Sequence, residues 1–356
     1  MLLPPVGLSF VCATIIRQIA AIVKTFSEIF FEKFFDNPLT FLYFGGIIHT
    51  NKLKKEATEV PNCFDSVRCE MGTADYQQYG EPLIYRYHSS NRPQLAFYAT
   101  PEEVSGDDWR KRLYFGVELE FDSNDWCVQR RTNRISTIGD CNLIMGSDTY
   151  GYFMNDGSLN GGMEFITQPS TYDFYISNRS KFEQLFEKIK EHGYHADDVT
   201  TPGFHIHFNR DFYADDEKKY LENLLFAIDR YWPYLVYCSK RRVSSINKWS
   251  KKYSATPHEI VEDMECGYIP DRYHVLNLRN SSTFEFRLWH GTLDAPTFYS
   301  VLTLVKNLVI LAKTSSKEEI SKLPFEFLLS NPEMAKFWLD VSRRRVTRKY
   351  DTFLRE

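Results

Sequence analysis

Two glutamates lie two residues apart in a stretch that alternates apolar and polar side chains. The stretch, Leu113 to Phe121, reads Leu-Tyr-Phe-Gly-Val-Glu-Leu-Glu-Phe. A period of two predicts a β-strand with one apolar face, and it places Glu118 and Glu120 together on the other face. Carboxylates at that spacing repel each other unless a cation or solvent relieves them. The stretch is therefore either a half-buried strand with an acidic solvent face or part of a cation site.

A second pair of acids, Asp156 and Glu164, brackets a glycine-rich turn. Asp156 begins an Asp-Gly turn signal, and Gly161 and Gly162 allow unusual backbone angles or the close approach of a ligand. The short apolar run at 163–166 predicts a strand that carries Glu164. These acids are either incidental residues on the two arms of a hairpin or further cation ligands.

Two histidines follow with the same alternation. Gly203 to Phe208 reads Gly-Phe-His-Ile-His-Phe, which predicts a strand with His205 and His207 on one face. A lone histidine is more often a structural residue than a ligand. A pair two residues apart on a strand is better evidence, because two neutral imidazoles can then point into one cation site.

An acid and an arginine share a face in a fourth stretch, Phe-Glu-Phe-Arg, which contains Glu285 and Arg287. Alone they would form a surface ion pair that contributes little to stability. Beside the other acids and the histidines, they indicate a cation site next to a phosphate site. Carboxylates suit magnesium, and the planar fork of an arginine suits a phosphoryl group.

The wording and order of these motifs resemble the amidoligase branch of the glutamine synthetase-like carboxylate–amine ligases. The resemblance covers about Leu83 to Asp294. It implies an α+β fold, in which a curved antiparallel sheet holds ATP and Mg²⁺ on its concave face and carries helices on its convex face. It also implies that ATP phosphorylates a carboxylate and that an amine then displaces the phosphate to give an amide.

The resemblance implies two metal sites built from these side chains. One would be held by three carboxylates, Glu120, Asp156 and Glu164. The other, nearer the transferred phosphoryl group, would be held by Glu118, His205 and Glu285. Cations at both sites would screen the repulsion between a carboxylate substrate and ATP, since both are anions.

Three further residues receive roles from the same resemblance. Arg287 would lie against the transferred phosphoryl group, with Arg279 as a second helper in binding the nucleotide. His207 would support His205 or contact the substrate, as a further metal-site residue. The cofactors would be ATP and Mg²⁺, with Mn²⁺ as a substitute. The substrates would be a carboxylate and an amine, and a peptide, a protein or a cell-wall fragment would each fit an open concave sheet.

Two other functions use the same residues. A metal-dependent hydrolase could use the histidines and carboxylates to activate water, and it would prefer zinc or manganese and need no nucleotide. A non-catalytic nucleotide-binding protein could keep the fold. The second of these is disfavoured, because no predicted metal position carries an apolar residue.

Helical patterns flank the predicted strands. Ser180 and Glu183 have the spacing of a capping box at the start of a helix that Gly193 would close. A long amphipathic helix is predicted from Asp215 to Cys238, kinked or broken at Pro233. An apolar helix from Ala295 to Lys313, followed by two shorter ones, would cover the other side of the sheet.

The segment from Asp122 to Tyr150 is polar and contains a cluster of three arginines, Arg130, Arg131 and Arg134. This composition favours a solvated loop over a lid that meets an anionic ligand. The ligase function that the resemblance implies needs a cover for its readily hydrolysed acyl phosphate, and on that reading this loop is the candidate.

Composition and charge are those of an ordinary soluble protein. The chain has 356 residues, 43% hydrophobic and 25% charged, with a net charge of −4. That charge gives no electrostatic argument for nucleic acid as a partner. The seven cysteines follow no framework pattern, and Cys63 and Cys69 lack the close spacing of a zinc site. We therefore expect free thiols, a reducing compartment and a cytoplasmic protein.

Four regions are expected along the chain. Residues 1–50 form a hydrophobic and amphipathic segment, 51–112 a polar lead-in, 113–313 the glutamine synthetase-like catalytic domain and 314–356 a C-terminal helical extension that ends in a basic tail. The first segment is too interrupted by charges to cross a bilayer as one helix. It would pack on the catalytic domain or on a second copy, and contact with a membrane surface is the less favoured alternative.

Overall fold

A computed structural model describes residues 84–85, 93–101, 103, 109–123, 125, 128, 131–197 and 201–341. The expectations for residues 1–50, for Cys63 and Cys69 and for the basic tail beyond residue 342 lie outside these residues. Cys141, Cys238 and Cys266, which the structure describes, are free thiols.

The described strands form one mixed but mostly antiparallel sheet. Their bounds are β1 Ile84–Tyr85, β2 Tyr114–Phe121, β3 Gly151–Met154, β4 Met163–Thr167, β5 Ser170–Thr171, β6 Gly203–Asn209, β7 Leu276–Asn277 and β8 Thr283–His290. The order across the sheet is β1-β3-β4-β2-β6-β8-β7, and β5 pairs with the start of β2. The β1–β3 pair is parallel. The four strands predicted from the motifs, β4, β2, β6 and β8, are therefore neighbours.

Helices make up most of the remaining described chain. Their bounds are α1 Arg131–Met145, α2 Tyr172–Ser177, α3 Arg179–Glu191, α4 Glu217–Cys238, α5 Val243–Trp249, α6 Pro257–Glu265, α7 Ala295–Thr314, α8 Lys317–Lys322 and α9 at residues 332–341. Short 3₁₀ turns lie at Trp109–Lys111, Arg210–Tyr213 and Phe325–Leu328. Thus the α+β class predicted from the sequence is confirmed, while the curvature of the sheet stays a prediction.

The apolar face of the sheet packs against the helices. The alternating apolar residues of β2, Phe115, Val117, Leu119 and Phe121, are all fully buried in the main core. From the helical side, Phe298 of α7 stacks on Phe204 of β6 with ring centroids 5.1 Å apart. Helices therefore cover the face opposite the carboxylates, which leaves the polar face for chemistry.

Helix α7 is long and apolar enough to cross a membrane by length and composition, and 72% of its most apolar window is buried inside the protein. Its N-cap is Asp294, whose side chain accepts from Thr297 N at 3.0 Å. Pro at the first turn suits this start, because the missing N–H would have no partner there. In this structure α7 is a core helix.

The prediction of a polar loop between Asp122 and Tyr150 is wrong for the central part of that segment, which forms helix α1. Its buried face consists of Ile138, Cys141 and Met145, spaced three and four residues apart. That pattern is hard to see in the sequence, because few of its residues are strongly apolar and Gly139 interrupts them. The side chain of Arg134 is bonded to Asn155 Oδ1, so α1 braces the neighbouring loop.

Two details of the helix predictions are also wrong. Ser180 does not cap a helix, because α3 begins at Arg179 after a separate short helix, α2, and its N-cap is Asn178. Glu183 instead pairs with Arg179 one turn earlier, at 2.8 Å. Helix α4 runs through Pro233, so the break predicted there is wrong, while a kink at the proline stays a prediction. The buried face of α4 continues past the proline, and this packing outweighs the lost backbone hydrogen bond.

Candidate metal centre

The pairing register brings the predicted acids and histidines onto neighbouring positions of the sheet. Glu120 on β2 lies directly opposite Glu164 on β4. Glu118 lies opposite His205 on β6. His207 in turn lies opposite Glu285 on β8. Side chains from four adjacent strands therefore meet on the face that the helices leave uncovered.

Three carboxylates gather on the β2–β4 side. Ligand atoms of Glu120, Asp156 and Glu164, here called the carboxylate cluster, all lie within 4.8 Å of one another. Glu120 and Glu164 are buried, and Asp156 is half-buried. These are the three residues that the resemblance assigned to one metal. Burial raises the pKa of Glu120, and the charge of Asp156 acts in the same direction against the opposing effect of His205.

A buried aspartate holds the loop that carries Asp156. Asp122 Oδ2 accepts hydrogen bonds from Asn160 N and from Thr201 Oγ1, each at 2.8 Å. The loop closes on itself where Ser158 N donates to Asp156 Oδ1 at 2.5 Å. Sequence reasoning did not give Asp122 a role. The available signal was its position two residues after Glu120, just beyond the end of the strand.

A second group, here called the mixed cluster, consists of Glu118, His207 and Glu285, with ligand atoms also within 4.8 Å of one another. Glu118 Oε1 lies 3.2 Å from His207 Nε2. The resemblance placed His205 with Glu118 and Glu285, and the structure brings His207 to the same two carboxylates as well. His205 lies between the clusters, with Nδ1 3.1 Å from Glu118, 3.7 Å from Glu120 and 3.8 Å from Glu285.

The charges of the mixed cluster support one another. Burial disfavours ionisation of Glu118, but His207 and His205 outweigh it and hold the pKa of that carboxyl well below its usual range. Burial likewise disfavours the charged form of His207, yet Glu118 and Glu285 raise its pKa. The pKa of Glu285 is lowered because His207 and Arg287 outweigh the effect of burial. The cluster therefore keeps its carboxylates ionised and ready to bind a cation.

Two asparagines and an arginine fix Glu285. Asn277 Nδ2 donates to Glu285 Oε2 at 2.6 Å, and Asn280 Nδ2 donates to the same oxygen at 3.3 Å. Arg287 Nη1 is bonded to the other oxygen, Oε1. Sequence reasoning missed both asparagines. In the sequence, Asn277 ends β7 and Asn280 lies in the polar turn that connects β7 with β8.

The two arginines that the sequence singled out differ in environment. Arg287 is 5% exposed, and in the described part of the chain its Nε has no hydrogen-bond partner. Arg279 is exposed and belongs to neither cluster, and its backbone N donates to Asn277 Oδ1 at 3.0 Å. Arg287 is therefore part of the centre, whereas Arg279 lies at its edge.

A third arginine was missed by sequence reasoning. Arg241 follows the end of α4 and is 6% exposed. Its Nε donates to the carbonyl oxygen of Trp289 at 3.0 Å. Burial lowers the pKa of Arg241 to about 10, and the nearby charge of Glu120 opposes that shift. The guanidinium therefore stays charged at neutral pH.

The donor sets of the two clusters fit divalent cations. The carboxylate cluster offers oxygen atoms alone, which suits a hard ion such as Mg²⁺. The mixed cluster adds an imidazole, which Mn²⁺ and Zn²⁺ accept more readily than Mg²⁺ does. Glu285 of the mixed cluster is already bonded to Arg287, so an ion at this cluster would share that carboxylate with a guanidinium. The residues present are therefore compatible with a pair of divalent ions.

No protein-family model matches the chain, and no curated protein is similar enough in sequence to match it. A solved structure of a bifunctional glutathione synthetase from Pasteurella multocida aligns with 65% of this chain and 46% of its own, at 12% identity and a TM-score of 0.34. A complex between the prokaryotic ubiquitin-like protein Pup and its ligase PafA aligns with 65% of this chain and 51% of its own, at 12% identity and a TM-score of 0.28. The chain spans about half the length of these structures, and superpositions this loose carry no argument about function.

Proposed function

We propose that this protein is an ATP-dependent carboxylate–amine ligase that forms an amide through an acyl phosphate. One observation carries the proposal. Two groups of cation ligands share strand β2, and a buried arginine, Arg287, is bonded to a member of one group. A carboxylate and ATP are both anions, so bringing them together requires concentrated positive charge. Divalent cations bound at the two clusters, together with Arg287, would supply it.

The order of the sequence motifs adds independent support. The four motifs that resemble the glutamine synthetase-like ligases lie on β2, β4, β6 and β8, with Asp156 in the turn before β4. These strands are adjacent in the sheet. Chance matches to four short motifs have no reason to fall on neighbouring strands and to face the same way.

Each part of the centre then has a role. Bound divalent ions would supply charge neutralisation for the phosphates and the substrate carboxylate. The carboxylate cluster would hold one ion, and the mixed cluster would hold the other. Arg287 would bind the transferred phosphoryl group through its forked guanidinium, while Asn277 and Asn280 keep Glu285 in place. His205, between the clusters, would fix the carboxylate of Glu118.

The segment that the sequence suggested as a cover for the site has a different role. The 122–150 segment is not a free loop, since helix α1 occupies most of it. Arg134 of α1 bonds to Asn155 Oδ1 and approaches the carbonyl oxygen of Gly162 at 3.4 Å. We therefore assign α1 the role of bracing the loop that carries Asp156.

Thermal denaturation with and without magnesium-ATP tests the proposal. A ligand that binds only the folded state raises the melting temperature by mass action. Glu118→Ala and Glu285→Ala should lose most of that rise, whereas Glu326→Ala, an exposed glutamate, should keep it. If all three variants respond like the wild type, the assignment of the centre is wrong. If the variants behave as expected, mass spectrometry of acid and amine mixtures incubated with magnesium-ATP would identify the product, whose mass is that of the acid plus the amine minus water.

The presence of His207 in the mixed cluster favours one alternative, a metal-dependent hydrolase. An imidazole ligand is common where a metal activates water. The two functions differ in their need for nucleotide. Hydrolysis of a model ester or amide that depends on Zn²⁺ or Mn²⁺ and ignores ATP would favour the hydrolase. ADP formation that requires both an acid and an amine would favour the ligase.

A further inference from the structure

Gly116 is a glycine that neither the backbone nor the packing of the folded chain requires. It lies inside β2, two residues before Glu118 and on the same face of the strand. Its φ is outside the left-handed region that favours glycine. Among the described residues, a Cβ built on it would contact only His207 Cβ, at an ordinary 3.7 Å. Because a glycine inside a strand costs conformational entropy and packs no side chain, the fold alone would favour a larger residue here.

The other glycines of the described strands differ from Gly116 in this respect. A Cβ on Gly151, at the start of β3, would lie 2.4 Å from Phe165 Cζ. A Cβ on Gly203, at the start of β6, would lie 2.6 Å from His205 Nε2. Close packing therefore excludes a side chain at both of these positions but not at Gly116. A glycine inside a strand often marks a place where a ligand or another backbone approaches closely.

The metal centre opens to solvent over Gly116. Gly116 and Glu118 are half-buried, whereas the other residues of β2 are buried. His207, also half-buried, lies directly opposite Gly116 on β6. Its ring is held on both sides, with Nδ1 3.2 Å from Thr283 Oγ1 and Nε2 3.2 Å from Glu118 Oε1. A molecule that reaches the mixed cluster from solvent would therefore pass over the Gly116 backbone beside a fixed imidazole.

Aromatic side chains border Gly116 at the other end. Tyr114 precedes it by two residues on the same face of β2, and its ring centroid lies 5.1 Å from that of Phe97 and 6.5 Å from that of Trp109. Phe97 and Trp109 are half-buried. These three rings, here called the aromatic wall, favour a flat apolar group in edge-to-face or offset contact. Along the strand, Tyr114 and Glu118 are each about 7 Å from Gly116, so an apolar wall and a cation site flank the same glycine.

We propose that Gly116 is the floor of a binding position for a carboxylate substrate that carries an aromatic ring. The ring lies on the Gly116 backbone between His207 and the aromatic wall, and the carboxylate points toward an ion at the mixed cluster. The inference rests on the proposed function, for which it names the class of the acid. Gly116 is then a specificity-determining residue, because any side chain at this position would project into the space above the strand that the ring uses.

Calorimetric titration of the full-length protein with benzoate in the presence of Mn²⁺ tests the proposal. A parallel titration uses acetate, which has the same carboxylate without the ring. Benzoate should bind the wild type about tenfold more tightly than acetate, because the ring is taken out of water against the aromatic wall. Gly116→Val should abolish that difference, and Gly116→Ala should reduce it, while both variants bind acetate like the wild type. Gly116→Ala should also unfold at a higher urea concentration than the wild type, so its weaker benzoate binding could not be ascribed to a damaged fold.

The aromatic wall and the glycine each have a matched control. Tyr114→Leu removes the ring next to Gly116 and should weaken benzoate binding without changing acetate binding. Tyr299→Leu removes a ring that is equally buried, on helix α7, and should keep the preference for benzoate. Gly157→Ala adds a methyl group at a glycine with nothing within 4 Å of its Cβ position, and it should bind both acids like the wild type.

The proposal is overturned if benzoate binds the wild type no more tightly than acetate, or if the two Gly116 variants keep the preference for benzoate. Should Tyr114→Leu fail to fold, the Gly116 variants decide the question alone. The outcome is separable from that of the proposed function. Benzoate binding that depends on Gly116 in a protein that ignores magnesium-ATP would retain this binding position and reject the ligase. A response to magnesium-ATP without any preference for benzoate would do the reverse.

Discussion

Glu120 and Glu164 lie directly opposite each other on strands β2 and β4, with both carboxylates buried. Like charges at such a cross-strand position destabilise the folded state. Burial raises the pKa of Glu120, which is the sign expected of a carboxyl held in a poorly solvated, negatively charged place. The ligand-free protein thus bears a stability cost that a bound cation would remove.

Neutralising one of the pair should therefore stabilise the protein when cations are absent. We expect Glu164→Gln to increase the free energy of unfolding in EDTA by about 1 kcal/mol, the upper range for a cross-strand pair. The same variant should lose the stabilisation that Mn²⁺ gives the wild type, because one ligand of the carboxylate cluster is gone. Urea denaturation in EDTA and in Mn²⁺ measures both effects.

Glu326→Gln is the control for that experiment. It makes the same charge change at an exposed residue of the 3₁₀ turn Phe325–Leu328, far from the clusters in sequence. Its urea denaturation in EDTA and in Mn²⁺ should be the same as that of the wild type. A Glu164→Gln protein that is less stable than the wild type in EDTA, and still responds to Mn²⁺, would show that Glu164 is a structural residue instead of a ligand.

Arg287→Lys separates the geometry of the guanidinium from its charge. If Arg287 binds a phosphoryl group as charge develops, turnover should fall by about a hundredfold, while binding of magnesium-ATP changes little. Glu285 should remain in place, because Asn277 and Asn280 still donate to it. Steady-state ADP release and calorimetry measure the two quantities. Equal turnover in the variant and the wild type would remove Arg287 from the reaction.

Two glycines of one loop should respond differently to alanine. A Cβ on Gly162 would overlap the carbonyl oxygen of Phe121 and lie 2.9 Å from Asp122 Cα, so backbone would have to move. A Cβ on Gly157 would meet nothing within 4 Å. We expect Gly162→Ala to lose roughly 1–3 kcal/mol of stability and Gly157→Ala to lose less than about 0.5 kcal/mol. Equal losses, measured by urea denaturation, would mean that the loop adapts to the added methyl.

The strands of the centre could be predicted from the sequence because each has a strict alternation of apolar and polar residues. Burial of one face fixes the orientation of the other, so Glu118, His205 and Arg287 had to lie on the polar side. Helices α4 and α7 were predictable for a similar reason, since their apolar residues recur at helical spacing. Local patterns were sufficient for these features.

Features that depend on distant pairing were not predictable. The sequence makes His205 and His207 equivalent, and only the register of β6 against β2 and β8 brings His207 together with Glu118 and Glu285. A register shift between Phe204 and Ile206 adds to this difference. Arg241 was missed because it follows a helix with no motif around it, and only the packing of distant parts of the chain brings it near Glu120.

Folding stability should fall at acidic pH through His290, which lies next to Gly291 at the end of β8. Burial lowers the pKa of His290 below its ordinary value of 6.5, and the charges of Arg241 and Lys240 act in the same direction. Its bond from Nδ1 to the Gly291 carbonyl oxygen, at 3.0 Å, and the charge of Asp197 oppose the shift without reversing it.

The sign follows from proton binding. Between the depressed folded pKa and the unfolded value of 6.5, the unfolded chain binds the proton more readily than the folded protein does. The contribution of His290 to stability is therefore complete above pH 6.5 and is lost as the pH falls through that value. Each unit by which folding depresses the pKa of His290 corresponds to a loss of about 1.4 kcal/mol from the free energy of unfolding at acidic pH.

His290→Asn isolates this effect, since the amide nitrogen can replace Nδ1 as a donor to Gly291 but does not titrate. We expect the free energy of unfolding to fall more steeply for the wild type than for the variant between about pH 7.5 and about pH 5.5. His195→Asn, at an exposed side chain, should follow the wild type. Urea denaturation at a series of pH values measures the slopes. Parallel slopes for the wild type and His290→Asn would show that His290 takes up its proton as readily in the folded protein as in the unfolded chain.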